Sequence, residues 1–117
     1  MEKIEFYTVH ETIQKYFNVD DTIIFKRNES RRSTYIKQVF QYLCLNVCCG
    51  KSTYMSVAKY QDDIYKAYSH ASVMFSVDKI EGYLSYDKEV IKDVLNILKM
   101  MPRTHKVDRC INLIKDR

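Results

Sequence analysis

The sequence predicts an all-α protein, a compact helical domain with a short extra C-terminal helix. Three observations lead there. Proline occurs once and glycine twice in 117 residues, so little interrupts a helix. Apolar residues recur at three- and four-residue intervals in one segment after another, the period of a helix and not of a strand. Finally, the stretch SHASVMFSVDKIEGYL, Ser69 to Leu84, places Val73, Val77, Ile80 and Leu84 on one stripe, with Ser69 positioned to cap the free N–H groups at its start. Ala71, Ser72, Phe75, Asp78 and Lys79 point away from that stripe. Bulk behind and short side chains on the first outward turn suit a recognition helix, whose backbone must come close to base edges in the major groove. Many ordinary core helices share the same pattern.

In chain order, residues 3–17 carry Ile4, Val9, Ile13, Tyr16 and Phe17 at helical spacing and predict a first helix ending near Asn18. His10, in its middle, is expected to be structural. Asn18 to Phe25 forms a turn and a short apolar segment, and Lys26 to Arg32 a basic loop. Ser33 to Val47 is the strongest helix by pattern, with Ile36, Val39, Phe40, Leu43 and Val47 inward. Gly50 ends that helix and Ser52 or Thr53 caps the next, over 53–60. After the 69–84 helix, residues 85–101 turn Val90, Val94, Ile97, Leu98 and Met101 inward, and Pro102 ends or kinks the segment. Val107, Ile111 and Ile114 are spaced for one more short helix. The expected division is a domain over 1–100 and a basic C-terminal extension over 101–117.

Charge is unevenly distributed. Residues 1–25 hold five acids and two bases, whereas residues 26–59 hold seven bases and only Glu29. Residues 60–100 are mildly acidic, and 101–117 carry five bases against two acids. A middle section this basic suggests an anionic partner, most simply a phosphate backbone; the alternative is pairing with the acidic neighbours. No run of about 18 apolar residues is present, so no transmembrane helix is expected. The acidic N-terminus lacks the apolar segment of a secretory signal, and a cytoplasmic protein is expected.

Chemistry finds few footholds. Cys44, Cys48 and Cys49 lie together and Cys110 is remote; Cys44 and Cys48 share a helix face as small buried residues. Without a C-x-x-C pair, a zinc site would have to recruit Cys110 or a distant histidine, and no metal is expected. Gly50-Lys51-Ser52-Thr53 imitates the end of a P-loop, but Leu45 stands where the first glycine belongs, so no nucleotide or other cofactor is expected. The three histidines fall on separate segments without paired acids, which argues against an enzyme.

Ser69-His70-Ala71-Ser72-Val73, with Lys79-Ile80-Glu81 further on, resembles the signature helix in the C-terminal DNA-binding domain of the bacterial replication initiator DnaA, a helix-turn-helix of the Trp-repressor-like kind. There an acid and a histidine precede two small residues and a valine. Lys37-Gln38-Val39 and Tyr42-Leu43 resemble that family's Arg-Gln-(Ile or Val) and Tyr-Leu, with Ile36 replacing its proline and Tyr35 the preceding arginine. Ser56-Val57-Ala58-Lys59-Tyr60 resembles its Glu-Ile-Gly-Lys-Phe. The likeness covers roughly residues 4–98. Two departures stand out: Ser69 replaces the acid, and the glycine-free turn Gln61–Tyr68 is about four residues longer, either as an extra helical turn or as a bulging loop.

The resemblance implies binding of double-stranded DNA by an accessory replication or regulatory protein of a bacterium or a phage-infected cell. Ser69, His70, Ala71 and Ser72 would face the major groove, with Ala71 able to meet a thymine methyl and Ser69 unable to accept selectively from cytosine as a carboxylate does. Arg31, then Arg32, are the candidates for the minor groove. Arg27, Lys37, Gln38 and Lys59 would lie near phosphate, and Lys66 would stand in for a missing arginine. The extension could dock on the core, touch DNA or mediate dimerisation. The alternative is a protein-interaction module that keeps the helix-turn-helix shape without DNA binding, contacting a homodimer mate or another protein through Phe75 or the extension.

Overall fold

A computed structural model of the chain describes residues 4–20, 30–48, 53–65 and 70–116. Among them are six helices and no strand: α1 Phe6–Phe17, α2 Arg31–Val47, α3 Tyr54–Tyr65, α4 His70–Tyr83, α5 Lys88–Met100 and α6 His105–Lys115. The all-α expectation therefore holds, and the predicted inward stripes of α1, α2, α4, α5 and α6 are all buried except at Tyr16, which is half-buried.

Helix α2 is the axis of the fold, packing against α1, α3, α4 and α6. It buries two adjacent stripes. Ile36, Val39, Phe40, Leu43 and Val47 form the expected one, and Lys37, Gln41, Cys44 and Cys48 a second, three or four residues apart at each step. Single-stripe reasoning finds only the first, because it assumes one partner and one solvent face. Burial pushes the Cys44 thiol well above its ordinary range, with Cys48 beside it adding to the effect, so Cys44 is a packing residue and not a ready nucleophile. The described cysteines, Cys44, Cys48 and Cys110, are buried thiols.

Local chemistry explains the helix ends. Asn18 closes α1 in the left-handed conformation, φ 55°, which asparagine tolerates better than most residues, and its N–H donates to the Gln14 carbonyl. Helix α2 begins two residues earlier than expected: Ser30 Oγ accepts from the Ser33 N–H at 3.1 Å and Ser33 Oγ accepts from the Ser30 N–H at 3.2 Å. The reciprocal pair of serines makes 31–32 the first helical turn instead of the end of a loop. Thr53 caps α3 the same way with Ser56, at 3.1 and 2.9 Å. Helix α3 runs on to Tyr65, so part of the longer connection is extra helix. Asp87, accepting from Glu89 and Val90 N–H groups, starts α5 three residues later than the apolar pattern suggests. Residues 21–29, 49–52 and 66–69, with the predicted 18–25 segment mostly among them, lie outside the described residues.

The C-terminal extension docks on the core. Val107, Cys110, Ile111 and Ile114 are buried against a body formed by α2 and α5. Lys106 Nζ donates to the Cys48 carbonyl at 2.7 Å, and Tyr42 Oη lies 4.0 Å from Cys110 Sγ. The radius of gyration, 13.1 Å, matches the roughly 13 Å of one compact domain of about this size.

One polar tie joins three helices. Asp93 on α5 accepts from Tyr16 Oη of α1 at 2.7 Å and from Tyr35 Oη of α2 at 2.8 Å, while Asn96 donates to Tyr16 Oη at 3.4 Å. Burial raises the ionisation of both tyrosines above the usual 10.0. The carboxylate they serve adds to the rise in both, and Asn96 offsets part of it at Tyr16. A tyrosine that holds its proton more tightly when folded stabilises the fold below pH 10 and loses that contribution as pH rises above it.

Two predictions follow from this packing. Phe40→Ala, at a fully buried position, is expected to cost about 3–5 kcal/mol in urea unfolding, against less than about 0.5 for Leu113→Ala on the exposed side of α6. Stability should also fall with rising pH above 10, and Tyr16→Phe/Tyr35→Phe should flatten that fall; equal slopes for the two proteins in alkaline unfolding curves would disprove the coupling.

Candidate nucleic-acid interface

Helices α2 and α4 make the closest pair in the fold. On the solvent side of their contact lies an open groove of about 770 Å³, lined by Ser30, Arg31, Thr34, Tyr35 and Gln38 of the α2 start and by Phe75, Lys79 and Tyr83 of α4. Among the described residues, the lining holds two cations, three aromatic rings and several hydroxyl and amide groups, and no carboxylate. On each helix these residues recur at intervals of three and four, so two outward stripes meet along the groove.

The start of α2 carries an electrostatic conflict. A helix N-terminus concentrates positive charge and prefers acids in its first turn. Helix α2 has none there and begins with Arg31 and Arg32, both exposed. The Arg32 guanidinium sits 5.6 Å from the centre of the Phe17 ring, a cation–π contact that holds it against α1. Arg31 projects toward the groove instead. The positive end of the helix and the Arg31 guanidinium beside it favour an anion such as phosphate.

The outward surface of α4 has the predicted form. Val73, Val77, Ile80 and Leu84 are fully buried, while Ala71, Ser72, Phe75, Asp78 and Lys79 are exposed. Ala71 and Ser72 stand on the first turn, where their small side chains leave the backbone accessible. Lys79 Nζ lies 5.5 Å from the centre of the Phe75 ring. By the 100° step per residue Met74 and Glu81 occupy the opposite flank of the same helix, and Asp78 lies within about 20° of Ala71 on the outward face.

The predicted residues divide accordingly. Arg31 and Gln38 meet in the groove, Arg32 adjoins it on the α1 side, and Ala71 and Ser72 lead into it along α4. Lys59 is exposed on α3, outside the groove lining. Arg27, Lys66 and Ser69 lie outside the described residues; His70 opens α4, and its side chain lies outside them too. Lys37 is a correction. It is 2% exposed and belongs to the second buried stripe of α2, so it is a core residue and not a phosphate contact. The resemblance placed Lys37 and Gln38 together at a helix start, but with α2 beginning at Arg31 they are its seventh and eighth residues, and a 100° step turns one inward and leaves the other half-exposed. Lys79 and Tyr83 were not among the predicted site residues. Their signal was present in the i, i+4, i+8 series Phe75, Lys79, Tyr83, which becomes a site only once α2 is known to lie alongside.

Competing chemistries find no arrangement. His10 is buried in an aromatic cluster with Tyr7, Phe40 and Tyr60, its Nδ1 3.3 Å from Tyr60 Oη, as a structural histidine would be. Among the described residues no group of three or more His, Cys, Asp or Glu side chains is placed to hold a metal ion, and no helix is long and apolar enough to cross a membrane. The chain matches no protein-family model, and a search of curated proteins likewise finds no match.

The conflict at the start of α2 has a measurable cost. Arg31→Glu should stabilise the free protein, by a few tenths to about 1 kcal/mol at low ionic strength, because it puts an acid where the helix dipole wants one. Thermal unfolding at low and at high salt checks this, with the gain shrinking as salt rises.

Proposed function

We propose that the protein binds double-stranded DNA, with the first turn of α4 in the major groove and the start of α2 on the adjacent backbone. The observation that carries this reading is the groove itself: Arg31, Gln38 and Lys79, without a carboxylate among its described lining residues, run beside a helix whose first outward turn is Ala71 and Ser72. Cations fix the strand and small side chains let base edges approach, the division of labour that DNA-binding helices use. The resemblance to the DnaA C-terminal domain supports the same placement of α3 and α4 as a helix-turn-helix. In this reading Arg32 and the basic segment before it, Arg27 included, serve the backbone and the neighbouring minor groove, and the protein acts as an accessory replication or regulatory factor without enzymatic activity.

A second reading has its own observation. Phe75 and Met74 are large apolar side chains, 60% and 40% exposed on α4, and surface aromatics of this kind also mark protein contacts.

Fluorescence anisotropy separates the two. A labelled duplex carrying a DnaA box and a scrambled duplex are titrated over a salt series. Binding to DNA should weaken steeply with salt, and Arg31→Ala should lower affinity for both duplexes while reducing the slope of log K against log salt by about one. Preference for the box ties the protein to initiator sites; equal binding means a different code. Absence of binding to both at low salt refutes the DNA reading and leaves the protein-contact reading.

A further inference from the structure

We infer that Phe75 is a specificity-determining residue that reads thymine methyl groups in the major groove; this rests on the DNA-binding reading above. Phe75 is the sixth residue of α4, one turn beyond Ala71 on the outward side. Its ring is 60% exposed, although the back of the same helix is sealed. A face that enters DNA at Ala71 and Ser72 brings the next turn to the groove floor or wall, since the rise between Ala71 and Phe75 is only about 6 Å. There an aromatic ring has one kind of partner. The base edges exposed in the major groove are hydrogen-bond donors and acceptors, and covering them with an apolar ring leaves them unsatisfied. The exception is the thymine 5-methyl, the apolar group that the major groove presents.

Charge argues that the occupant of this face is a polyanion and not an apolar protein surface. Lys79 sits 5.5 Å from the Phe75 ring centre, Arg31 lies across the groove, and among the described residues no carboxylate lines the groove they share. The Lys79 ammonium both fixes the ring and reaches outward, so the ring meets a base step while the cation meets the strand beside it. Glu81, on the opposite flank of α4, turns from that strand, which sets the side from which the helix is approached.

The test compares two 20-base-pair probes, alternating dA-dT and alternating dA-dU, which differ in the thymine methyl. The wild-type protein should bind the dA-dT duplex roughly four- to tenfold more tightly, the equivalent of one or two methyl groups removed from water. Phe75→Ala should bind both duplexes equally, at about the wild-type level for dA-dU. Phe75→Leu, still apolar, should retain part of the preference. Phe75 is exposed, so unchanged far-ultraviolet circular dichroism is expected for both variants. Equal wild-type binding to the two probes, or a preference that survives in Phe75→Ala, overturns the inference while leaving DNA binding in place. Failure of the wild-type protein to bind these probes and the mixed-sequence duplexes alike overturns both.

Discussion

Everything in this molecule hangs on the double burial of helix α2. A helix that meets four others must hide more than a single stripe, and α2 does so with an aliphatic row at Ile36, Val39, Phe40, Leu43 and Val47 and a smaller, more polar row at Lys37, Gln41, Cys44 and Cys48. The small cysteines allow close approach, and the long Lys37 stem fills space as a hydrocarbon would. Residues 36–44 have little solvent left to face, apart from a half-exposed Gln38. Near the far end Leu45 and Asn46 are half-buried, whereas the first turn is open and carries the arginines. The core thus confines the exposed cations of α2 to its N-terminal end.

Helix α4 meets that end because it is the partner most closely packed on α2. Sealing Val73, Val77 and Ile80 against α2 fixes the rotation of α4 about its own axis. The same rotation sends Ala71, Phe75 and Lys79 to the surface beside Arg31 and Gln38. The clamp of Tyr16 and Tyr35 on Asp93 does a related job: Tyr35 lines the groove and is also hydrogen-bonded to α5, so the groove wall is anchored to that helix as well. A surface held by packed elements can present its cations at low entropic cost.

How far the sequence disclosed this depends on how local each signal is. The buried residues of α1, α4, α5 and α6 follow from period alone, because each of these helices has one buried side. The ends needed side-chain chemistry as well: the Ser30–Ser33 pair moved 31–32 into a helix, and Asp87 overrode an apolar pattern that began at Ser85. Lys37 escaped sequence reasoning because a lysine at a helix position near two arginines looks like one more surface base; only the encirclement of α2 makes it a core residue. The groove escaped for a similar reason. Its two halves lie about 40 residues apart, and neither Phe75-Lys79-Tyr83 nor Arg31-Thr34/Tyr35-Gln38 is notable until the other is beside it.

Two features that look wrong for stability lie close together. Two arginines open a helix that would prefer acids, and a phenylalanine stands in water above a lysine. Each opposes folding by at most about 1 kcal/mol, an amount that the sealed core tolerates. Local choices that contradict the fold without a compensating contact inside it are expected where a partner supplies the compensation. A phosphate beside Arg31 would reverse the sign of the dipole conflict, and an apolar group over Phe75 would remove its ring from water. That both conflicts border one groove, and that this groove lies along the helix with the small first turn, makes a single polyanionic partner with apolar groups on its inner wall the simplest resolution of the two together.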